Sequence, residues 1–335
     1  MLRSNYKILV VGAGSIGQRH IKNLQTLGVE HIGVVDPKNN GGQTSVRSSE
    51  GRPLTILNSL KEALKEKWDG VFVCSPSSTH FKIALEIAKQ KIPMFIEKPL
   101  SHNLTGFLDL QKIVKNIKPV MVGYNVDFHP QFKKVQSIVK KNSLGKIFGV
   151  KAEFGYYLPD WRSGDYSKTY SSKKELGGGI LLDDIHEINL VYNLFGPIKK
   201  IFGITAKISN LKINVEDYVE AIFWFENGII GQVHMDYLQR GYSRSLKIIG
   251  EKGTLVWNLN EAKVEQFFPL SKQWKTIDKI NNFNWNDTYL EETKEFLKCL
   301  KAKKNPSSDF KRGTETLKIA LAIKESSVKN KAIIL

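Results

Sequence analysis

Gly12-Ala13-Gly14-Ser15-Ile16-Gly17 follows directly on the apolar run Lys7-Ile8-Leu9-Val10-Val11 and leads directly into a helical pattern, Ser15 to Leu27. A strand that turns through glycines into a helix restricts the fold to a narrow set, because that geometry cradles a pyrophosphate. Gly12 permits the tight turn, Gly14 lets the backbone approach phosphate, and Gly17 lets the helix pack close to the strand, while Ser15 and Ile16 carry N–H groups of the open first turn. Asp36 ends the second strand nineteen residues after Gly17. A carboxylate there accepts hydrogen bonds from adenosine ribose hydroxyls and repels a phosphate on the same ribose, which favours NAD over NADP. Lys38, beyond Pro37, leaves NADP possible.

The rest of the first third agrees with that turn. Residues 7–11, 31–35, 70–74, 93–96 and 120–123 are short runs apolar on both faces, separated by helical stretches. Strands of this kind belong in a parallel sheet covered by helices, so residues 1–124 are expected to form a Rossmann α/β domain. Ser59 and Glu62 mark one helix start as a capping box. After residue 125 the strands lengthen and alternate, at 147–156, 218–225, 229–238 and 246–249. Alternation indicates a large open, mainly antiparallel sheet with one dry face, giving an α+β domain over residues 125–335. Asn227-Gly228 predicts a two-residue hairpin turn, and helical patterns near 286–302 and 310–328 close the chain.

Bulk properties remove several classes. At 335 residues and 41% hydrophobic, the chain buries a sizeable core. No apolar run approaches the ~20 residues that span a membrane, and the start has no signal-type apolar region, so a cytoplasmic protein is expected. Cys74 and Cys299 are too few for a disulfide framework or a zinc site. The formal charge is +17, but 42 of the 50 basic residues are lysines spread over the helical patterns. That distribution describes solvated faces rather than a nucleic-acid stripe, although it would concentrate an anionic substrate.

Three places carry chemistry. Lys98, in Glu97-Lys98-Pro99, follows the strand 93–96 and so lies where open α/β sheets bind ligands. Its ammonium can polarise a carbonyl or hydrogen-bond an alcohol. Gly177 to Glu187 opens a helix in which Asp183 and His186 share a face, an arrangement suited to moving an alcohol proton. The loop 156–176 concentrates Tyr156, Trp161, Arg162, Tyr166 and Tyr170, whose rings and polar tips suit a sugar. No histidine spacing indicates a metal.

Gly12-x-Gly14-x-x-Gly17, Ser75-Pro76-Ser77-Ser78-Thr79-His80, Glu97-Lys98-Pro99, Gly123-Tyr124-Asn125 and the Gly177-to-His186 segment follow one another in a recognisable order. Together they resemble the Gfo/Idh/MocA family, named for glucose–fructose oxidoreductase and inositol dehydrogenase, nearly end to end. The resemblance implies hydride transfer at a ring hydroxyl or keto group and subunit pairing, as homodimer or homotetramer, through the open sheet. By motif position it implies Lys98 as catalytic lysine, His186 as acid–base histidine and Asp183 as its partner. Ser75, Pro76, His80, Glu97 and Asn125 take cofactor-side positions. Two intervening residues separate Asp183 from His186 where many relatives have three, so the acid is open between Asp183 and Asp184. Asp127 stands where relatives often carry arginine. Tyr157-Leu158-Pro159-Asp160-Trp161-Arg162 is similar to members serving surface-sugar synthesis, which points to an amino or nucleotide-activated sugar. Two alternatives keep the same fold: an enzyme that recycles bound NAD during elimination or epimerisation, and a dinucleotide-binding sensor.

Overall fold

The computed structural model describes residues 4–36, 54–161 and 163–335. They form two compact units, one drawn from Met1–Asn125 with Trp285–Thr314, the other from Val126–Asn284 with Glu315–Leu335. The strands are β1 (Ser4–Val11), β2 (Val29–Val35), β3 (Leu54–Leu57), β4 (Gly70–Val73), β5 (Met94–Glu97), β6 (Val120–Gly123), β7 (Ile147–Gly155) and β8 (Ile198–Ala206). There follow β9 (Tyr218–Phe225), β10 (Ile230–Asp236), β11 (Ser243–Gly250), β12 (Gly253–Asn258), β13 (Lys263–Phe268), β14 (Gln273–Lys279) and β15 (Ile333–Ile334). The helices are α1 (Ser15–Thr26), α2 (Leu60–Ala63), α3 (His80–Lys89), α4 (Phe107–Val114) and α5 (Pro130–Lys140). Then come α6 (Ile180–Asp183), α7 (His186–Phe195), α8 (Asn286–Ala302) and α9 (Phe310–Lys329).

In the first unit, among the described residues, six strands run in the order β3-β2-β1-β4-β5-β6 with every neighbouring pair parallel. This is the doubly wound order in which the chain reverses direction beside β1, and ligands bind at the carboxyl ends on either side of that point. The apolar runs read from the sequence supply β1, β2, β4, β5 and β6. β3 was not expected: it has four residues at a sheet edge, with Thr55 and Ile56 exposed, so it lacks the two-faced apolar run of a central strand. Phe72 and Phe95 stack 4.7 Å apart, and Phe296 of α8 meets Phe72 edge-on at 5.1 Å. The α2 start behaves as a capping box shifted by one residue: Glu62 N–H donates to Ser59 Oγ, and Asn58 N–H donates to Glu62 Oε2.

In the second unit nine strands run β14-β13-β12-β11-β7-β10-β9-β8-β15 among the described residues. All neighbours are antiparallel except β7 and β10. One face is dry, with Val150, Ala152, Val219, Phe223, Val233, Met235, Leu246, Ile248 and Trp257 buried, and α5, α6 and α7 pack on the sheet. On the other face Ile222 opposes Phe202 and Gln232, while Ile230 opposes Trp224.

Two local expectations are corrected. The β9–β10 turn has three residues, not two: Gly228 N–H donates to Phe225 O and Phe225 N–H to Ile229 O. A two-residue type I′ turn needs positive φ at both central residues, and only Gly228 (φ 84°) has it. The segment 177–187 is not one helix: α6 ends at Asp183, Asp184 leaves helical geometry (φ −113°, ψ 47°), and α7 starts at His186. No helix among the described residues is long and apolar enough to cross a membrane.

Candidate active site

The glycine turn after β1 has distinct demands at each position. Gly12 has φ 98°, and a Cβ there would lie 2.7 Å from the Cys74 carbonyl group. A Cβ on Gly17 would lie 1.9 Å from Gly12 O, so only glycine lets α1 start this close to the turn. Gly14 is the opposite case. It is exposed, its φ is −65°, and a Cβ would meet nothing within 4 Å. The first turn of α1 has no acidic residue and no side-chain cap. Space in front of Gly14 and open N–H groups behind it fit the pyrophosphate of a dinucleotide. Asp36, just after β2, accepts a hydrogen bond from Ala13 N–H at 2.7 Å, so the residue expected at the ribose also holds the turn.

The next strand ends carry Ser75, Pro76 and Lys98. His80 opens α3, and its ring nitrogens lie 2.8 Å from Ser75 O and from Pro99 O, tying the segments after β4 and β5 together. Burial lowers its pKa. Thr79 donates its hydroxyl to Ser75 Oγ. Glu97 is buried, with Oε1 2.6 Å from His20 Nε2 and Oε2 accepting Lys98 N–H at 3.2 Å. Lys98 is half-buried. Asn125 donates its side-chain amide to Thr288 Oγ1 within the same unit.

In the second unit the break between α6 and α7 gives the neighbouring acids separate partners. Asp183 accepts the Tyr237 hydroxyl at 3.1 Å. Burial and the charge of Asp183 push the Tyr237 phenol well above its usual range, which keeps it a donor. Arg244 Nη2 donates to both oxygens of Asp184 at 2.5 Å, and Arg244 Nε lies 2.9 Å from Glu187 Oε1. Burial, only partly offset by Arg244 and reinforced by Asp184, raises Glu187 to about 8. His186 is buried at the start of α7. Asp127, with Oδ1, accepts the amides of Asn189 and Asn193 from α7.

The aromatic segment has more structure than a bare loop, with 3₁₀ turns at Leu158–Asp160, Tyr166–Lys168, Tyr170–Ser172 and Lys174–Leu176. Tyr156 stacks on Trp161 and donates its hydroxyl to Asp160 O. Trp161 Nε1 donates to Tyr156 O, and its ring meets Tyr237 edge-on. Tyr166 accepts Lys212 N–H, and Tyr170 is half-buried. Arg162, like Pro37 and Lys38, lies outside the described residues.

Comparison with known proteins agrees with this arrangement. Residues 6–124 match the oxidoreductase family with an NAD-binding Rossmann fold, and residues 132–256 match the Gfo/Idh/MocA C-terminal domain. The chain belongs to the Gfo/Idh/MocA family. It is therefore an NAD-dependent oxidoreductase. Among curated Gfo/Idh/MocA relatives, the myo-inositol 2-dehydrogenase of Thermotoga maritima is 25% identical over 98% of each chain. Among solved structures, the WlbA dehydrogenase of Bordetella pertussis with NADH and UDP-GlcNAcA has a TM-score of 0.83 at 20% identity, covering 99% of each chain. A levoglucosan dehydrogenase with NADH and levoglucosan has a TM-score of 0.85 at 18% identity, also over 99% of each.

Two residues beside the predicted ones went unread in the sequence, Tyr237 and Arg244. Each carries a signal. Arg244 shares strand parity with Leu246 and Ile248, which puts a guanidinium on the dry face, where it requires acids. Tyr237 follows Val233 and Met235 on a buried register, where a hydroxyl requires an acceptor.

Proposed function

We propose that the chain uses NAD(H) to oxidise or reduce one hydroxyl-bearing carbon of a sugar, in particular an amino or nucleotide-activated sugar of surface glycan synthesis. The observation that carries the reading is a lysine at the carboxyl end of β5, in the unit with the glycine turn, in a chain that also opens α7 with a buried histidine. NAD, held at the glycine turn by Gly12, Gly14 and Gly17 with Asp36 at its ribose, would supply the hydride acceptor, and NADH the donor. His186 takes the hydroxyl proton as the carbon–oxygen bond becomes a carbonyl. Lys98 donates a hydrogen bond to that oxygen and stabilises the charge that develops on it. Asp183, oriented by Tyr237, favours the charged imidazole.

The sugar class is supported by the aromatic, hydroxyl-rich segment 156–176, by relatives named for inositol and levoglucosan, and by the WlbA dehydrogenase solved in complex with UDP-GlcNAcA. A basic surface favours an anionic, nucleotide-linked substrate. The half-exposed Ile204, Ile222 and Ile230 on the open face of the second sheet support pairing of two copies there, readable by light scattering.

The test is reduced-nicotinamide absorbance with NAD⁺ and, separately, NADP⁺ against free sugars, inositols, amino sugars and nucleotide sugars. We expect a signal with NAD⁺ confined to the amino or nucleotide sugars, lost in His186→Ala and slowed in Lys98→Met while NAD still binds. Silence in both directions, with keto-sugars and NADH included, would overturn the reading. Activity on inositols alone would overturn the substrate class.

A further inference from the structure

Behind the Glu97-Lys98 turn, inside the first unit, lies a cluster that the proposed reaction leaves unused. His20 of α1, Glu97 of β5 and Glu292 of α8 are all buried, and one ring nitrogen and one oxygen from each acid lie within 4.8 Å of one another. Both oxygens of Glu97 are engaged, one by His20 Nε2 and one by Lys98 N–H. Glu292 differs. It is 0% exposed, and neither of its oxygens has a hydrogen-bond partner among the described residues, nor has His20 Nδ1.

One cation, Arg19, acts on Glu292, and it offsets burial and the Glu97 charge only in part. The Arg19 guanidinium lies over the Tyr289 ring at 4.4 Å, and no lysine or arginine nitrogen among the described residues is within ion-pair reach of Glu292. The other titratable groups that act on the cluster are Tyr289 and Glu295 of α8 and Cys74 after β4, none of them cationic. An ionised Glu292 here is a second buried carboxylate beside Glu97 with no cation in contact, Arg19 acting on it only from beyond ion-pair reach, a state that costs more than taking up a proton. A shared divalent ion fits poorly. Two ligands on one such ion stand roughly 3 Å or more apart, whereas His20 Nε2 and Glu97 Oε1 are in direct hydrogen-bond contact at 2.6 Å.

We infer that Glu292 is a neutral carboxylic acid that, together with His20, holds the Glu97 carboxylate against Lys98 N–H, which makes Glu292 and His20 positioning residues for Lys98. The proton count matches: with Nε2–H of His20 donating to Glu97, Nδ1 is left as an acceptor and the Glu292 hydroxyl as a donor, the two unpaired groups of one buried cluster that the inference brings together. Burial first, then the charge of Glu97, drives the Glu292 carboxyl well above its ordinary range. The catalytic meaning of this arm rests on the reading of Lys98 given above.

Two measurements on the full chain test the inference without turnover. In D₂O at neutral pH, the infrared spectrum of the wild type should contain the C=O stretch of a protonated carboxylic acid that Glu292→Gln lacks. In hydrogen–deuterium exchange, the Lys98 amide of Glu292→Gln should be protected as in the wild type, because the amide side chain keeps a donor. Glu292→Leu should exchange that amide about tenfold faster, the equivalent of one hydrogen bond to a charged group, with β6 unchanged. Absence of the band, or one chelator-removable divalent ion per chain, would overturn the neutral acid. Equal protection of Lys98 in Glu292→Leu would overturn positioning. Should Glu292→Leu not fold, His20→Asn reads the same arm, with the same two outcomes. If the nicotinamide assay is silent while these readouts are as expected, the reaction is refuted and the arm is not.

Discussion

Replacing Gly14 and Gly17 separately by alanine divides binding from folding at the same turn. At Gly17 the new methyl would stand 1.9 Å from Gly12 O and 3.5 Å from Cys74 Cβ. An ordinary contact requires a retreat of well over 1 Å, and the obstacle is backbone on one side, so the cost falls at the upper end of overpacking, about 3 kcal/mol. For a unit of this size that lowers Tm by roughly 6–12 °C. At Gly14 the methyl meets nothing within 4 Å, and φ −65°, ψ −173° is a conformation alanine adopts readily. Stability should hold or rise by about 0.4–1 kcal/mol through the less flexible unfolded chain. The same methyl projects where phosphate approaches the α1 N–H groups. Loss of one charge-assisted hydrogen bond weakens NAD by about 1.5–3 kcal/mol, roughly 10- to 100-fold in Kd. Calorimetric NAD titration and thermal unfolding of both variants read the two effects. Wild-type NAD affinity in Gly14→Ala, or wild-type Tm in Gly17→Ala, would refute the reasoning.

Three further outcomes follow from particular contacts. Arg244→Met leaves Asp184 and Glu187 buried without their cation and should cost about 3–5 kcal/mol in urea unfolding, most of it recovered when Asp184→Asn and Glu187→Gln are added; no recovery would mean that the guanidinium acts by shape alone. Glu187 keeps a proton in the folded chain up to about 8 that the unfolded chain releases near its ordinary value, so stability should fall as pH rises between about 4.5 and 8. Its share of the slope approaches ~1.4 kcal/mol per pH unit and should be missing from Glu187→Gln, which keeps only what other groups such as Glu292 contribute; parallel stability curves for the two proteins count against it. Asp36→Ala removes both the ribose acceptor and the acceptor of Ala13 N–H, so NAD affinity should drop and NADP affinity should rise relative to it; unchanged preference, measured by titration with each nucleotide, would remove Asp36 from cofactor choice.

The parallel sheet was legible because its central strands are apolar on both faces and each begins or ends at a glycine, proline or acid. β3 was not, since an edge strand with Thr55 and Ile56 in solvent has no such run. The glycine turn was legible position by position, because its requirements are steric and local. The helix break at Asp184 was hidden for the opposite reason. Leu182 to His186 reads as an unbroken helical face, and what separates the two acids is a pair of distant residues, Tyr237 and Arg244, that compete for them. In the same way the rings of 156–176 were visible as a cluster, but not that Trp161 stacks on Tyr156 and donates to its carbonyl while the Tyr156 hydroxyl goes to Asp160 O. Local pattern reports which face is dry. It does not report which buried polar group another segment arrives to meet.

Residues 285–314 complete the first unit only after the whole stretch 126–284 has been laid down. Phe296 fills the space beside Phe72 and Phe95, and Ser308 bonds the backbone of β6 through both its carbonyl and its hydroxyl. On the ribosome, then, the nucleotide-binding half is not finished when its first 125 residues emerge; it waits, with an aromatic gap open, for a segment made much later. Cutting the gene near residue 125 should release a fragment lacking its own plug, whereas splicing 285–314 behind residue 125 through a short linker should release one that closes.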